Sequence, residues 1–169
     1  DRMHRVGFFP GSSIGNFEPE QARSFLTRVA GTLGRGGHLL IGVDCKKDTK
    51  TLELAYNDPD GVTAQFNLNA LAHLNRVMDA DFDLQAFAHE AHYNEVSGCI
   101  QMFLRSLVEQ RVAVCGEHFQ FAAGECLHTE NSYKYAPAEF AQLAGSVGFD
   151  CQQQWLDERS YFGLYLLRA

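Results

Sequence analysis

Six residues, Gly11-Ser-Ser-Ile-Gly-Asn16, follow directly on the apolar run Val6-Gly-Phe-Phe-Pro10. A buried strand ending in a glycine-bearing turn presents backbone groups and small polar side chains at its carboxyl edge, where open α/β folds hold ligands. The chemistry open to this loop is non-covalent. Gly11 admits close backbone approach, and Ser12, Ser13 and Asn16 supply hydroxyls and an amide. Two serines in a glycine-flanked turn suggest a nucleophile elbow, but no covalent role is assigned to either. His73, His89, His92 and His128, with Cys115 and Cys126, are the other reactive groups. A zinc site needs three or four convergent ligands at suitable spacing, and no C-x-x-C accompanies these. They read as surface or packing residues, and no metal is expected.

The elements that would position the loop follow from periodicity. Strand 6–10 leads through the loop into a helix over Pro19 to Leu33, with Ala22, Phe25, Leu26, Val29 and Leu33 on one face, proline in its first turn and Gly34 to Gly37 stopping it. The near-continuous apolar run His38-Leu-Leu-Ile-Gly-Val-Asp44 predicts a strand buried on both faces, completing a right-handed βαβ crossover. From 45 to 131 the texture changes. Asp48 caps a helix carrying Leu52, Ala55 and Tyr56, and a second helix over 62–78 buries Phe66, Leu71, Leu74 and Met78. Short segments over 84–93, 99–107, 111–115, 119–121 and 126–129 read as a β-meander. From 132 the α/β texture returns, with a helix from Pro137 to about Val147 and a closing hairpin of 149–156 and 161–168. The expected organisation is an α/β sheet made of 1–44 and 132–169, interrupted by an inserted lobe over 45–131. Candidate ligand residues at junctions between the two predict a cleft at that seam.

Composition narrows the class. The chain has 169 residues, 46% apolar and 21% charged, enough for a real core. A net charge of −7 argues against nucleic-acid or anionic-membrane partners. No apolar run is long enough to span a membrane, and the start lacks a signal-peptide pattern. Five cysteines, an odd number without paired spacing, fit reduced, buried thiols in a cytoplasmic protein.

Several separate blocks carry a family resemblance. Phe9-Pro-Gly-Ser-Ser-Ile-Gly-Asn16, Gly42-Val-Asp-Cys-Lys-Lys-Asp48, Ala55-Tyr-Asn-Asp58, Gly61-Val-Thr-Ala-Gln-Phe-Asn67, Ile100-Gln-Met-Phe-Leu104 and His128-Thr-Glu-Asn-Ser-Tyr-Lys134 occur in this order. Together they resemble the histidine-specific Nα-methyltransferases of ergothioneine biosynthesis. The resemblance implies an S-adenosylmethionine-dependent enzyme that trimethylates the α-amino group of L-histidine, or of a similar amino acid, to hercynine. It also implies a class I, Rossmann-like α/β sheet with an inserted α+β substrate-binding lobe. Within that sheet 1–10 would be the fourth strand, 38–44 the fifth and 149–168 the last two. No G-x-G-x-x-G loop occurs. The expectation is therefore a C-terminal half whose missing N-terminal half holds most of the cofactor, leaving these residues inactive alone and prone to self-association through exposed strand faces. A non-catalytic amino-acid-binding or interaction module of the same descent is the alternative.

Residue by residue, the resemblance places Asn16 and Tyr56 on the substrate carboxylate and Gly11 and Ser13 near the α-nitrogen. Ser13 stands where the family commonly has Thr. Glu130 and Ser132 would read the imidazole, an acceptor and a donor/acceptor matching its two ring nitrogens. Met102 and Phe66 would wall the ring, and Gly11 and Ser12 would touch the cofactor. Gln101 stands where the family usually has Glu. No residue is assigned as general base. Taken singly, Asn16 also suits a turn, Tyr56 half-buried packing, and Glu130 and Ser132 a solvated strand end.

Overall fold

The computed structural model describes residues 5–169. The chain divides into two compact units, one of residues 1–47, 95–99 and 131–169, the other of 48–94 and 100–130.

The first unit is built on a four-stranded sheet. Strands β1 (Val6–Phe9) and β2 (His38–Asp44) pair in parallel, Val6 opposite His38, and are joined through helix α1 (Pro19–Leu33). The closing hairpin, β8 (Asp150–Leu156) and β9 (Phe162–Arg168), adds antiparallel to β2, giving the order β1-β2-β9-β8. β2 is thus paired on both edges, and its run of buried and half-buried residues shows both of its faces covered, as its nearly unbroken apolar sequence requires. Helix α1 starts with Pro19, which has no N–H to satisfy, and Gln21 accepts from the Glu18 N–H at 3.1 Å. It stops at Gly34, whose φ of 72° suits a residue without Cβ. Ala22 and Leu26 are fully buried, and Phe25, Val29 and Leu33 pack partly buried beside them. Helix α4 (Pro137–Ser146) repeats the device with Pro137 first and buries Phe140 and Ala144 in the same core as Ile14, Ile41, Val43, Tyr165 and Leu167. Each large apolar side chain buried in this way stabilises the fold by about 1.5–3 kcal/mol.

In the second unit, helix α2 (Thr49–Tyr56) is capped by Asp48, whose Oδ1 accepts from Thr51 N at 2.9 Å. Helix α3 (Val62–Val77) is capped from outside by Asp58, which accepts from Val62 N at 2.8 Å and Thr63 N at 2.9 Å. Hydrogen bonds from Thr63, then Val62, hold the Asp58 carboxyl down to about 2. The strands β3 (Phe87–Asn94), β4 (Cys99–Ser106), β5 (Gln110–Val114), β6 (Glu117–Phe121) and β7 (Cys126–Tyr133) follow, with a short 3₁₀ turn over Leu84–Ala86.

Three expectations need correction. The strands do not form a meander, because β5 and β6 pair only with each other while β7 bypasses them to pair with β4, in the order β3-β4-β7. In α3 the buried face is turned from the expected one: Phe66 is 65% exposed and Met78 39%, whereas Asn67 is 3% exposed beside buried Leu71. The thiols are all free but not uniformly buried, since Cys115 and Cys126 are exposed and only Cys45 and Cys99 lie in the interior. Phe82, Phe87 and Phe121 close this unit's main core, with ring centroids 5.6–6.3 Å apart. No helix among the described residues is long and apolar enough to cross a membrane.

Candidate functional site

In the first unit the loop after β1 is held by three contacts. Gly42 on β2 lets it pass: a Cβ there would stand 2.0 Å from the Pro10 carbonyl oxygen. Ser12 takes a left-handed conformation, φ 56°, and its Oγ accepts from the Asp44 N–H at 2.8 Å. That bond fastens a strained residue to the end of β2 and leaves the Ser12 proton free to donate. Ser13–Asn16 then form a 3₁₀ turn whose Ile14 is buried in the core while Ser13 and Asn16 face outward. Gly15 is the third contact. A Cβ on it would meet Tyr133 O at 2.7 Å and Ser132 Oγ at 3.6 Å. The fold therefore brings Ser132, 6% exposed, beside the turn that carries Ser13 and Asn16.

The other four candidates fall in the second unit, as two pairs. Phe66 and Glu130 line one recess of about 300 Å³ with Asn67, Ala70, His73 and Thr129. This sets an apolar ring and a carboxylate on the same opening. Met102 is 2% exposed and belongs to a core cluster with Leu52, Ala91 and Ile100, against which Tyr56 packs. Met102 is thus interior rather than a wall of that recess, to which it connects by accepting the Thr129 hydroxyl at its carbonyl, 3.1 Å. A larger recess, about 760 Å³ beside Glu109, Arg111 and Glu125, holds none of the candidates.

Two buried polar groups that the sequence does not single out stand near candidates, one in each unit. Asn67 donates to Phe103 O at 3.1 Å and contacts His89 Nδ1 at 2.9 Å, while His89 Nε2 meets Tyr56 O at 2.8 Å. Because the Phe103 carbonyl can only accept, the Asn67 amide is oriented with its NH₂ toward both partners. His89 Nδ1 then accepts and Nε2–H donates, so the neutral ring ties the end of α2 at Tyr56 to α3 next to Phe66. In the first unit, Lys134 is 1% exposed in its side chain and pairs with Asp44 Oδ2 at 2.8 Å. Glu18, distant in sequence, binds two neighbours of Lys134: its carboxylate accepts from Asn131 at 2.6 Å and from the Tyr133 hydroxyl at 2.5 Å. The latter bond raises the Tyr133 hydroxyl well above the usual phenol range. Asn67 ends the stretch Gly61–Asn67 and Lys134 ends the stretch His128–Lys134, but neither residue type signals burial.

The loop has room for a cofactor approached through backbone, since a Cβ on Gly11 would meet only Ser13 Oγ, at 3.8 Å. With this geometry in view the comparisons are decisive. The sequence pattern of the family described as histidine-specific methyltransferase, SAM-dependent, matches residues 1–169. The chain belongs to this family. It is 43% identical over 164 residues to a histidine N-alpha-methyltransferase of Mycobacterium tuberculosis, covering 96% of this chain and 51% of that protein. The figures for the histidine N-alpha-methyltransferase of Mycolicibacterium smegmatis are the same. The chain spans about half the length of these curated relatives. The CcbJ methyltransferase of Streptomyces caelestis shares the fold, with TM-score 0.52 and 11% identity over 98% of this chain and 61% of that one.

S-adenosylmethionine-dependent N-methyl transfer is the chemistry of the family, and its cofactor is S-adenosylmethionine. Among the described residues no cluster of His, Cys, Asp or Glu could hold a metal ion. The comparisons correct the expectation of a C-terminal portion. The family match runs from residue 1 to residue 169, and the Rossmann-like methyltransferase likeness covers nearly all of the chain. A family is matched through its whole colinear pattern, so the lack of one glycine-rich motif is not a measure of extent. The expectations built on that portion, half a sheet, a partner in a missing half and an inactive fragment, lose that support.

Proposed function

We propose that the protein transfers methyl groups from S-adenosylmethionine to the α-amino nitrogen of L-histidine, three times in succession, giving hercynine, and that it works in the cytoplasm. Asn16 and Tyr56 hold the carboxylate, Gly11 and Ser13 flank the amine, Gly11 and Ser12 touch the cofactor, Glu130 and Ser132 read the imidazole, and Phe66 and Met102 shape its surroundings. The 45–131 region acts as the substrate-binding lobe, and the free thiols fit a reducing compartment. The observation that carries the reading is the shared recess of Phe66 and Glu130, an aromatic face and a carboxylate acceptor suited to a ring N–H.

Bound S-adenosylmethionine supplies an electrophilic methyl group on a sulfonium. The residues of this chain contribute placement: orienting an amine for in-line attack can remove roughly 7–11 kcal/mol of barrier in favourable cases. A neutral amine is required, so the polar groups around the nitrogen must accept its proton or disfavour the charged form. Strict holding at carboxylate and ring, with room at nitrogen, lets the substrate stay in register as it grows. Replacing Glu130 by Ala should raise KM for histidine by about tenfold or more while cofactor affinity holds. Equal losses in both would make Glu130 structural and overturn its role.

A further inference from the structure

We propose that Asn67 is a specificity-determining residue: its side-chain oxygen, held as a pure acceptor in the recess of Phe66 and Glu130, takes a hydrogen bond from the N–H edge of the substrate ring. This rests on the functional reading that the recess receives the imidazole. Both protons of the Asn67 amide are already committed, one to Phe103 O at 3.1 Å and one to His89 Nδ1 at 2.9 Å. Neither partner lets the amide turn over. The Phe103 carbonyl only accepts, and His89 Nδ1 accepts because the ring gives its Nε2–H to Tyr56 O at 2.8 Å. The Asn67 oxygen has no hydrogen-bond partner among the described residues. Among those residues the fully enclosed side-chain polar atoms without a partner are the Tyr135 and Tyr165 hydroxyls, so the Asn67 oxygen opens outward although its residue is 3% exposed. The opening that Asn67 lines is this recess.

Three elements fix the amide: α3 carries it, β4 supplies Phe103 O and β3 supplies His89. β3 is fastened in turn to the end of α2, where Asn57 donates to Ala91 O at 2.8 Å and accepts from Ala91 N at 3.0 Å. The acceptor is therefore oriented before any ligand arrives. Thr129, on the same recess, reinforces its polarity. The hydroxyl proton of Thr129 goes to Met102 O at 3.1 Å, so to a ligand this group offers only lone pairs. With the Glu130 carboxylate, the recess presents acceptors from α3 and β7 to a ring lying against Phe66. The other polar lining groups, Asn69 and His73, are exposed to water. A ring carrying N–H satisfies the acceptors, whereas a ring of the same size without one leaves them desolvated and unpaired, which is how a polar site rejects an isostere.

The test measures, with S-adenosylhomocysteine present, the affinity of the wild type and of Asn67→Leu for histidine and for 3-(2-thienyl)alanine, whose five-membered ring has no N–H. Asn67→Leu should raise Kd for histidine about tenfold and change Kd for thienylalanine by less than about twofold. Equal losses for both amino acids would make Asn67 structural and overturn the proposal, as would no loss for histidine. Because Asn67→Leu could unfold, the wild type gives an independent readout. In asparagine-labelled protein the Asn67 side-chain ¹³Cγ signal, identified by the closeness of its NH₂ to His89, should move downfield with histidine and hold still with thienylalanine. A signal indifferent to histidine, or moved alike by both, contradicts the proposal. A wild type that neither binds nor methylates histidine overturns the functional reading and the proposal together, whereas methylation with unchanged discrimination in Asn67→Leu overturns the proposal alone.

Discussion

Gly42 is the residue on which the loop after β1 depends, because the Pro10 carbonyl passes where any side chain would begin, 2.0 Å from the Cβ position. Gly42→Ala should cost about 1–3 kcal/mol of stability, as overpacking does, and raise KM for histidine by moving the loop. Chemical denaturation and steady-state kinetics would measure both. Ser12→Ala should be milder in packing yet costly in polarity. It strands the Asp44 N–H, half-buried, at about 1–3 kcal/mol. A denaturation midpoint unchanged in Ser12→Ala would show that the bond to Asp44 does not hold the loop. At this scale the sequence is informative about Gly11, Ser12 and Asn16, because a turn after an apolar run has few interpretations. It is silent about Lys134 and Asn67. A lysine just past a strand and an asparagine in a helix read as solvated, and their burial depends on Asp44, 90 positions away in one case, and on Phe103 and His89 in the other.

Elements were legible where their ends carry local signals. Pro19 and Gly34 bound α1, Asp48 caps α2, and Pro137 opens α4, as those residue types dictate. Pairing was not legible, since β7 joins β4 across an intervening hairpin that no local pattern announces. The orientation of α3 was also missed: apolar residues at Phe66, Leu71, Leu74 and Met78 define no single stripe, and the face is settled by Asn67 reaching Phe103 and His89. The cap of α3 makes a prediction at this scale. Asp58 has its carboxyl lowered from 3.8 to about 2, so its contribution to stability is complete above the unfolded value and is lost as pH falls through about 2. Asp58→Asn should lower Tm near neutral pH and flatten the decline in Tm between pH 4 and 2. An unchanged acid slope would show that the cap does not support α3.

At the scale of the molecule, the first unit's core contains two tyrosine hydroxyls, Tyr135 and Tyr165, with no hydrogen-bond partner among the described residues. Burial pushes both up to about 12. Their neutral forms are favoured in the folded state, so this stability is present below the unfolded value near 10 and is lost as pH rises through about 12. Thermal melts should therefore fall steeply above pH 10, and Tyr165→Phe should remove part of that fall. The proposed activity draws on the loop of Gly11 to Asn16 in one unit, the recess of Phe66 and Glu130 in the other and the family match over residues 1–169. The most direct measurement is product mass after incubating the purified protein with S-adenosylmethionine and single amino acids. Histidine carrying one, two and then three methyl groups on its α-nitrogen is the predicted result, and methylation of tryptophan or tyrosine but not histidine would contradict it.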